Sequence, residues 1–215
     1  SSWYLFSDSG IMYQTNSTVF FKGEPCFVNK DGSLKVNAWG SVNGAKVYYD
    51  ETGTTVRGIT TIDGVKYLFA YDNNTYYGRL LFNRAFDFPF TSYSDDANYA
   101  SDSAGRATRL KNNTWTKVDG FWYYVTDHSV LLDTIAQIGN AYYAFDEAGH
   151  MYANTTFTIK GISYTADKNG HVTFAQMQDL SEGRYRMDEN GKAYTGMKTI
   201  GQLKYYFVNG KMQKD

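Results

Sequence analysis

The side chains able to do acid–base or metal chemistry are few, and their spacing argues against their use. His128, His150 and His171 lie 22 and 21 residues apart. That spacing could stack them into a metal-binding ladder, but each falls near the same turn of a repeating unit, which reads as a surface turn position. Asp95 and Asp96 offer two carboxylates, as a glycosidase needs, yet neighbours on a strand point to opposite faces. Cys26 is the only cysteine, which rules out an intrachain disulfide and a cysteine-based zinc site. There is no Gly-x-Ser-x-Gly elbow, P-loop, His-Glu-x-x-His motif or calcium-loop pattern. The sequence predicts no enzyme, no metal site and no cofactor. What remains is aromatic. Trp122 and Tyr124 share a strand face, Trp115 opens the same stretch, and Tyr142 or Tyr143 follows one unit later, so several ring planes could converge.

Composition explains why rings are so plentiful. The chain has 215 residues with 20 Tyr, 14 Phe and 4 Trp, against 30 Leu, Ile and Val together. An ordinary core inverts that ratio. Twenty-one basic residues face 22 acidic ones without long runs of either sign, so no footprint for nucleic acid exists. No stretch approaches the ~18 consecutive apolar residues of a membrane span. Four Asn-x-Ser/Thr sequons, at Asn16, Asn73, Asn112 and Asn154, read as incidental.

The elements that must carry the rings come from an internal repeat. Gly23, Gly44 and Gly64 are 21 and 20 apart, and Gly120, Gly139, Gly161 and Gly183 are 19, 22 and 22 apart. A second series interleaves, with Gly10, Gly32 and Gly53 at 22 and 21 and Gly149, Gly170 and Gly191 at 21 each. A period of ~20 residues means a solenoid or similar array. Each unit reads as a β-hairpin. Asn43-Gly44, Asp63-Gly64 and Asp119-Gly120 are tight-turn signals. Asp-x-x-Gly at Asp50–Gly53, Asp102–Gly105, Asp146–Gly149, Asp167–Gly170 and Asp188–Gly191 forms the second turn.

The predicted fold is therefore all-β, a β-hairpin repeat solenoid of about nine ~20-residue units with almost no helix. One stretch breaks the rhythm, because Gly64 and Gly120 are 56 residues apart. Residues 80–98 hold Phe86-Asp87-Phe88-Pro89-Phe90, and Pro89 argues against a central strand. The expected organisation is N-terminal hairpins over 1–79, an irregular insertion and degraded unit over 80–110, and C-terminal hairpins over 111–215, in one continuous array.

The unit Gly-x-x-Tyr-Tyr-Phe/Tyr-Asp-x-x-Gly, preceded by Thr-Ile-x-Gly, resembles the cell-wall-binding repeat superfamily of Gram-positive bacteria. That superfamily includes choline-binding modules, glucan-binding repeats of glucansucrases and repetitive domains of large clostridial toxins. The resemblance implies two ways to use the rings. A choline-binding unit cages a quaternary ammonium against Trp faces, and only 115–124 has both Trp115 and Trp122-Tyr123-Tyr124. A glucan-binding unit lays sugar C–H faces on Tyr-rich hairpins such as Ile62-Asp63-Gly64…Tyr67-Leu68-Phe69. Lys46, Lys66, Lys204, Gln202 and Asn43 stand at its polar rim.

On this basis the ligand-binding candidates are Trp115, Trp122, Tyr124, Tyr142, Trp39, Tyr49 and Tyr67. The expected function is non-catalytic binding of an α-glucan or cell-wall polymer by a secreted or surface-attached bacterial protein, with a linked catalytic domain as a further partner. A choline- or teichoic-acid-dependent wall anchor is the alternative of the same fold. A spacer or protein-adhesion segment of a surface protein or toxin is the structural alternative. Partial exposure of Trp122 is expected if its unit is a site rather than core.

Overall fold

The computed structural model describes residues 2–71, 78–86, 98–159, 162–173, 178–180, 183–186 and 194–213. Tyr76-Tyr77, Pro89, the Asp95-Asp96 pair, Gly161 and the Asp188–Gly191 turn lie outside the described residues. Among the described residues the secondary structure is all β, in small antiparallel sheets without helix. The hairpin repeat read from the sequence is thus the fold. Representative hairpins pair Ala38–Val42 with Ala45–Tyr49, Gly58–Ile62 with Val65–Phe69, and Trp115–Val118 with Phe121–Thr126. Their tips take positive φ at both central residues, for example 49° at Asn43 and 81° at Gly44, matching the right-handed twist of the strands.

The second turn is held by one aspartate. Asp146 Oδ1 accepts hydrogen bonds from the Ala148 and His150 amides at 2.8 Å each, and the Gly149 amide donates to the Asp146 carbonyl. Asp50, Asp102 and Asp167 repeat the pattern. The side chain four residues on then meets the second carboxylate oxygen. That slot holds Thr54, Arg106, His150 or His171. Two of the three histidines are thus partly buried turn braces rather than plain surface residues, and His150 stacks on Phe121 at 3.8 Å.

A third device escaped the sequence reading. Asn16, Asn37, Asp133 and Asn154 take positive φ immediately before the strands Ser17–Phe21, Ala38–Val42, Thr134–Ile138 and Thr155–Ile159. Asn and Asp tolerate this left-handed bend better than other non-glycine residues. The sequon asparagines Asn16 and Asn154 therefore have a backbone role.

Burial alternates along the inward strand of each hairpin. Val47 and Tyr49 are buried while Tyr48 is half-buried, and Tyr123 and Val125 are buried while Trp122 is exposed. The core is a series of local clusters. Leu5, Cys26, Val28 and Leu34 form one, and Val42, Val47 and Tyr49 another. Ile62, Phe69 and Leu80 form a third. In the C-terminal half, Tyr142, Phe157, Ile159, Tyr164 and Val172 pack together, with Tyr152 stacked on Phe157 at 4.2 Å.

The two glycine series do different work. A Cβ at the hairpin-tip residues Gly23, Gly44, Gly64 or Gly120 would meet nothing within 4 Å. At the second turn, a Cβ on Gly32, Gly53, Gly105 or Gly170 would press on Met12, Leu34, Leu80 or Met151 of a preceding segment. Each of these turns seats on an earlier apolar side chain. Close approach also governs Gly40, whose Cβ would lie 2.5 Å from the ring of buried Tyr49.

The chain forms two compact units, Ser1–Arg84 with Phe88–Arg109 and Ala85–Asp87 with Leu110–Asp215. Within the expected insertion, Asn98–Ser101 is a strand buried over all four residues, and Leu80 bridges to Phe69. At the C-terminal end the hairpins do not stay separate. Gln178–Leu180, Gly183–Tyr185, Lys211–Met212, Leu203–Val208 and Gly196–Ile200 make one five-stranded sheet, because Tyr185 pairs with Lys211 and so covers an edge.

Two outcomes test this scheme. Gly44→Ala and Gly105→Ala both place alanine at positive φ, costing about 1–2 kcal/mol. Gly105→Ala must also displace Leu80, whose side-chain carbons would stand 2.6–2.8 Å away, adding roughly 1–3 kcal/mol. Urea melts of the two variants read the difference, and equal losses would contradict the seating of the turn.

The second outcome concerns acid. Burial raises the Asp167 pKa, but the His171 and Asn169 amides and the His171 side chain outweigh it and hold the carboxyl below its usual range. A folded pKa below the unfolded one contributes stability above the ordinary carboxylate pKa of ~3.9 that disappears as pH falls through the folded value. Asp167→Asn should therefore lose less melting temperature than the parent between about pH 5 and pH 3. Parallel acid profiles would show that the turn does not depend on the ionised form.

Candidate functional site

Register places equivalent rings in two hairpins. Trp39 faces Tyr48, and Trp115 faces Tyr124. Around Trp39 stand Tyr48 at 5.3 Å, Tyr67 at 5.1 Å and Phe69 at 5.9 Å between ring centroids. Around Trp115 stand Tyr124 at 5.0 Å, Tyr143 at 4.8 Å and Phe145 at 5.9 Å. Each indole has a fully buried Phe beneath it, tilted by 31° or 24°, and two tyrosines set edgewise or tilted. Edge-to-face pairs of this kind are favourable through the ring quadrupoles.

The clusters differ at one position, the residue two beyond the tip glycine. In the first cluster it is Lys46, whose ammonium lies 4.3 Å from the centroid of Trp39. In the second it is Trp122, 39% exposed and perpendicular to Trp115 at 6.3 Å. Both residues are fixed by their backbones. The Lys46 carbonyl accepts from the Leu80 amide, and the Trp122 carbonyl from the Met151 amide. Lys46 covers the face of Trp39 with the chain's own cation, a favourable contact. Trp122 is the more exposed indole, and a lysine stands over its ring too, Lys117 with its Nζ at the longer distance of 5.6 Å from the centroid.

Of the seven residues proposed from the sequence, five fall in these clusters: Trp39 and Tyr67 in the first, and Trp115, Trp122 and Tyr124 in the second. Two do not. Tyr49 is 0% and Tyr142 3% exposed, because each occupies the inward face of its strand and packs in a core cluster. Their outward neighbours, Tyr48 and Tyr143, stand beside the indoles instead. Burial raises the Tyr143 phenol pKa, and the Asp167 carboxylate adds to the rise, so this hydroxyl stays a neutral donor and acceptor at neutral pH. The signal that finds Tyr48 and Tyr143 is strand register rather than the tyrosine pair itself.

Other chemistry is sparse. The Cys26 thiol is buried, and its pKa is raised by that burial and then by Asp50 and Glu24, so it is held as an unreactive thiol. Among the described residues no group of three or more His, Cys, Asp or Glu side chains is gathered to hold a metal ion, and no helix is long and apolar enough to cross a membrane.

No family model matches the chain. It is 26% identical over 174 residues to glucosyltransferase-S of Streptococcus mutans serotype c, covering 78% of this chain and 11% of that protein. It is 22% identical over 215 residues to glucosyltransferase-I of Streptococcus downei, covering 98% of this chain and 13% of that protein. The chain thus spans little more than a tenth of the length of the curated relatives it matches. Among solved structures it is similar to choline binding protein F from Streptococcus pneumoniae, in the presence of a peptidoglycan analogue. The identity there is 17% and the TM-score 0.40, covering 98% of this chain and 83% of that one. It is also similar to an alternansucrase in complex with isomaltononaose, at 20% identity and a TM-score of 0.33, over 99% of this chain and 16% of that one.

Proposed function

We propose that the chain is a non-catalytic carbohydrate-binding repeat module of an extracellular bacterial protein, and that it takes a neutral α-glucan on the Trp122 platform. The observation that carries this reading is the exposed, perpendicular indole of Trp122 beside Trp115, at the position where the equivalent hairpin carries a lysine. Sugar rings present C–H faces to such a plane, and the half-buried Tyr124 and Tyr143 beside Trp115 supply the neighbouring edges. Two relatives named glucosyltransferases support a glucan as the ligand class, and their far greater length supports a catalytic domain elsewhere in the same protein.

The alternative, a choline-dependent wall anchor, is favoured by one feature. The Trp115–Trp122 corner is the single place among the described rings where two indoles meet. A quaternary ammonium would be held there by ring faces without hydrogen bonds.

Isomaltooligosaccharide should quench tryptophan fluorescence saturably and raise the melting temperature, since a ligand that binds only the folded state stabilises it. Choline at high millimolar concentration should do neither. Because Trp122 is exposed, Trp122→Ala should fold normally and weaken oligosaccharide binding by about tenfold or more. A choline response abolished by the same substitution would select the anchor. Silence with both ligands would select the spacer or adhesion reading.

A further inference from the structure

Each of the two aromatic clusters is a clasp made by consecutive hairpins. One hairpin supplies a cross-strand pair, Trp39 with Tyr48 or Trp115 with Tyr124. The next supplies a Tyr-x-Phe run, Tyr67-Leu68-Phe69 or Tyr143-Ala144-Phe145. Its Phe lies beneath the indole and its Tyr meets the indole from the side. Both Phe rings are fully buried, and each bridges a residue further along the chain, Phe69 to Leu80 and Phe145 to Met151.

The same two halves recur, unjoined, elsewhere in the molecule. Tyr4-Leu5-Phe6 is a third Tyr-x-Phe run, and Phe6 bridges Met12 as Phe145 bridges Met151. Yet Tyr4 is 44% and Phe6 55% exposed, where Phe69 and Phe145 are 0%. Met197 pairs with Tyr206 across its hairpin as Trp39 pairs with Tyr48. It is 59% exposed and Tyr206 47%, so this cross-strand pair is uncovered. Exposed apolar surfaces of this kind mark contact sites.

Gly10 is an independent sign of the same gap. Its turn is built like the other second turns, with Ser7 in the place of aspartate. The Gly10 amide donates to the Ser7 carbonyl and the Ile11 amide to Ser7 Oγ. A Cβ at Gly32, Gly53 or Gly170 would lie 2.6–2.9 Å from the nearest atom of Met12, Leu34 or Met151. At Gly10 it would meet nothing within 4 Å. Met12, Leu34 and Met151 bridge Phe6, Val28 and Phe145 of their own hairpins, and Met212 pairs with Phe207 in the same way.

The geometry points to a second copy of this chain as the occupant: the Met197–Tyr206 pair of one copy takes the Tyr4–Phe6 run of the next, with Met212 approaching its Gly10 turn. Continuity argues for this occupant, since each half matches the register of an interface that the chain already makes internally. The thioether of methionine packs favourably against aromatic rings, so Met197 suits the place that an indole holds in the internal clasps. The two faces differ, so the contact is heterologous and every copy offers one of each.

Sedimentation velocity on the full chain tests this from about 1 to 300 μM, a span that reads a micromolar Kd. The average mass should rise with concentration and stay raised in about 0.5 M salt, because screening acts on charges and these faces are apolar. Phe6→Glu and Met197→Glu alter exposed side chains, one on each face. Each variant alone should associate at least about tenfold more weakly than the parent. Mixed one to one, they should form a dimer and nothing larger, since each keeps one sound face. If either alters the far-UV circular dichroism, Tyr4→Lys or Tyr206→Lys serves in its place. A parent chain monomeric throughout would overturn the inference and leave both faces to a partner of another kind. Association lost in Phe6→Glu but kept in Met197→Glu, or the reverse, would overturn it too, since like faces would then be meeting. So would a mixture of the two variants that stays monomeric.

Discussion

A hairpin of two five-residue strands has an apolar face that nothing within the hairpin can cover. Each unit must therefore be roofed by its neighbours, and most of the features described above follow from that requirement. Rings are the efficient solution, since a buried aromatic removes ~150–250 Å² from water on a scaffold too thin for a deep aliphatic core. At ~25 cal/mol per Å², that is on the order of 4–6 kcal/mol for each ring, as an upper figure. Tyr49, Phe69, Tyr123, Phe145 and Phe207 take this role and are fully buried. The second turn completes the seating, with an Asp-bound loop whose glycine has no Cβ to hold it off the preceding Leu or Met.

The same supply of rings makes a surface possible. Strand alternation sends one residue of each aromatic pair inward to the stack and its neighbour outward to the side. Outward rings gather wherever a Trp opens the unit, as at Trp39 and Trp115. A single outward position then decides whether the cluster carries a lysine or a second, exposed indole. On the proposed reading, binding capacity could be gained or lost by one substitution without disturbing the stack, because positions 46 and 122 contribute their carbonyls to the bonds between segments.

Hairpins, turn types and the all-β class were legible because each has a local signal, a glycine series, an Asn-Gly or Asp-Gly tip, or an Asp-x-x-Gly loop. Which member of a tyrosine pair faces outward was less legible. Tyr48 and Tyr143 both lie four residues beyond their tip glycine, whereas buried Tyr49 lies five and buried Tyr142 three beyond theirs. A one-residue step along a strand exchanges inside for outside, so a tyrosine pair does not by itself say which member faces out. The histidine spacing was legible as the repeat period. His150 and His171 occupy the slot four beyond the turn aspartate, where Thr54 and Arg106 serve equally well, whereas His128 follows Asp127 with positive φ at both residues.

The proposed function makes the exposed indole of Trp122 the sugar-facing ring, while Trp39 stays covered by Lys46. The indole N–H resonances of the four tryptophans report this residue by residue in a nitrogen–proton correlation spectrum titrated with isomaltooligosaccharide. The Trp122 resonance should move saturably, with a smaller response at Trp115, while that of Trp39 stays in place. Movement of Trp39 with Trp122 unmoved would contradict this, since it would mean that the ring under Lys46, not the exposed one, receives the ligand.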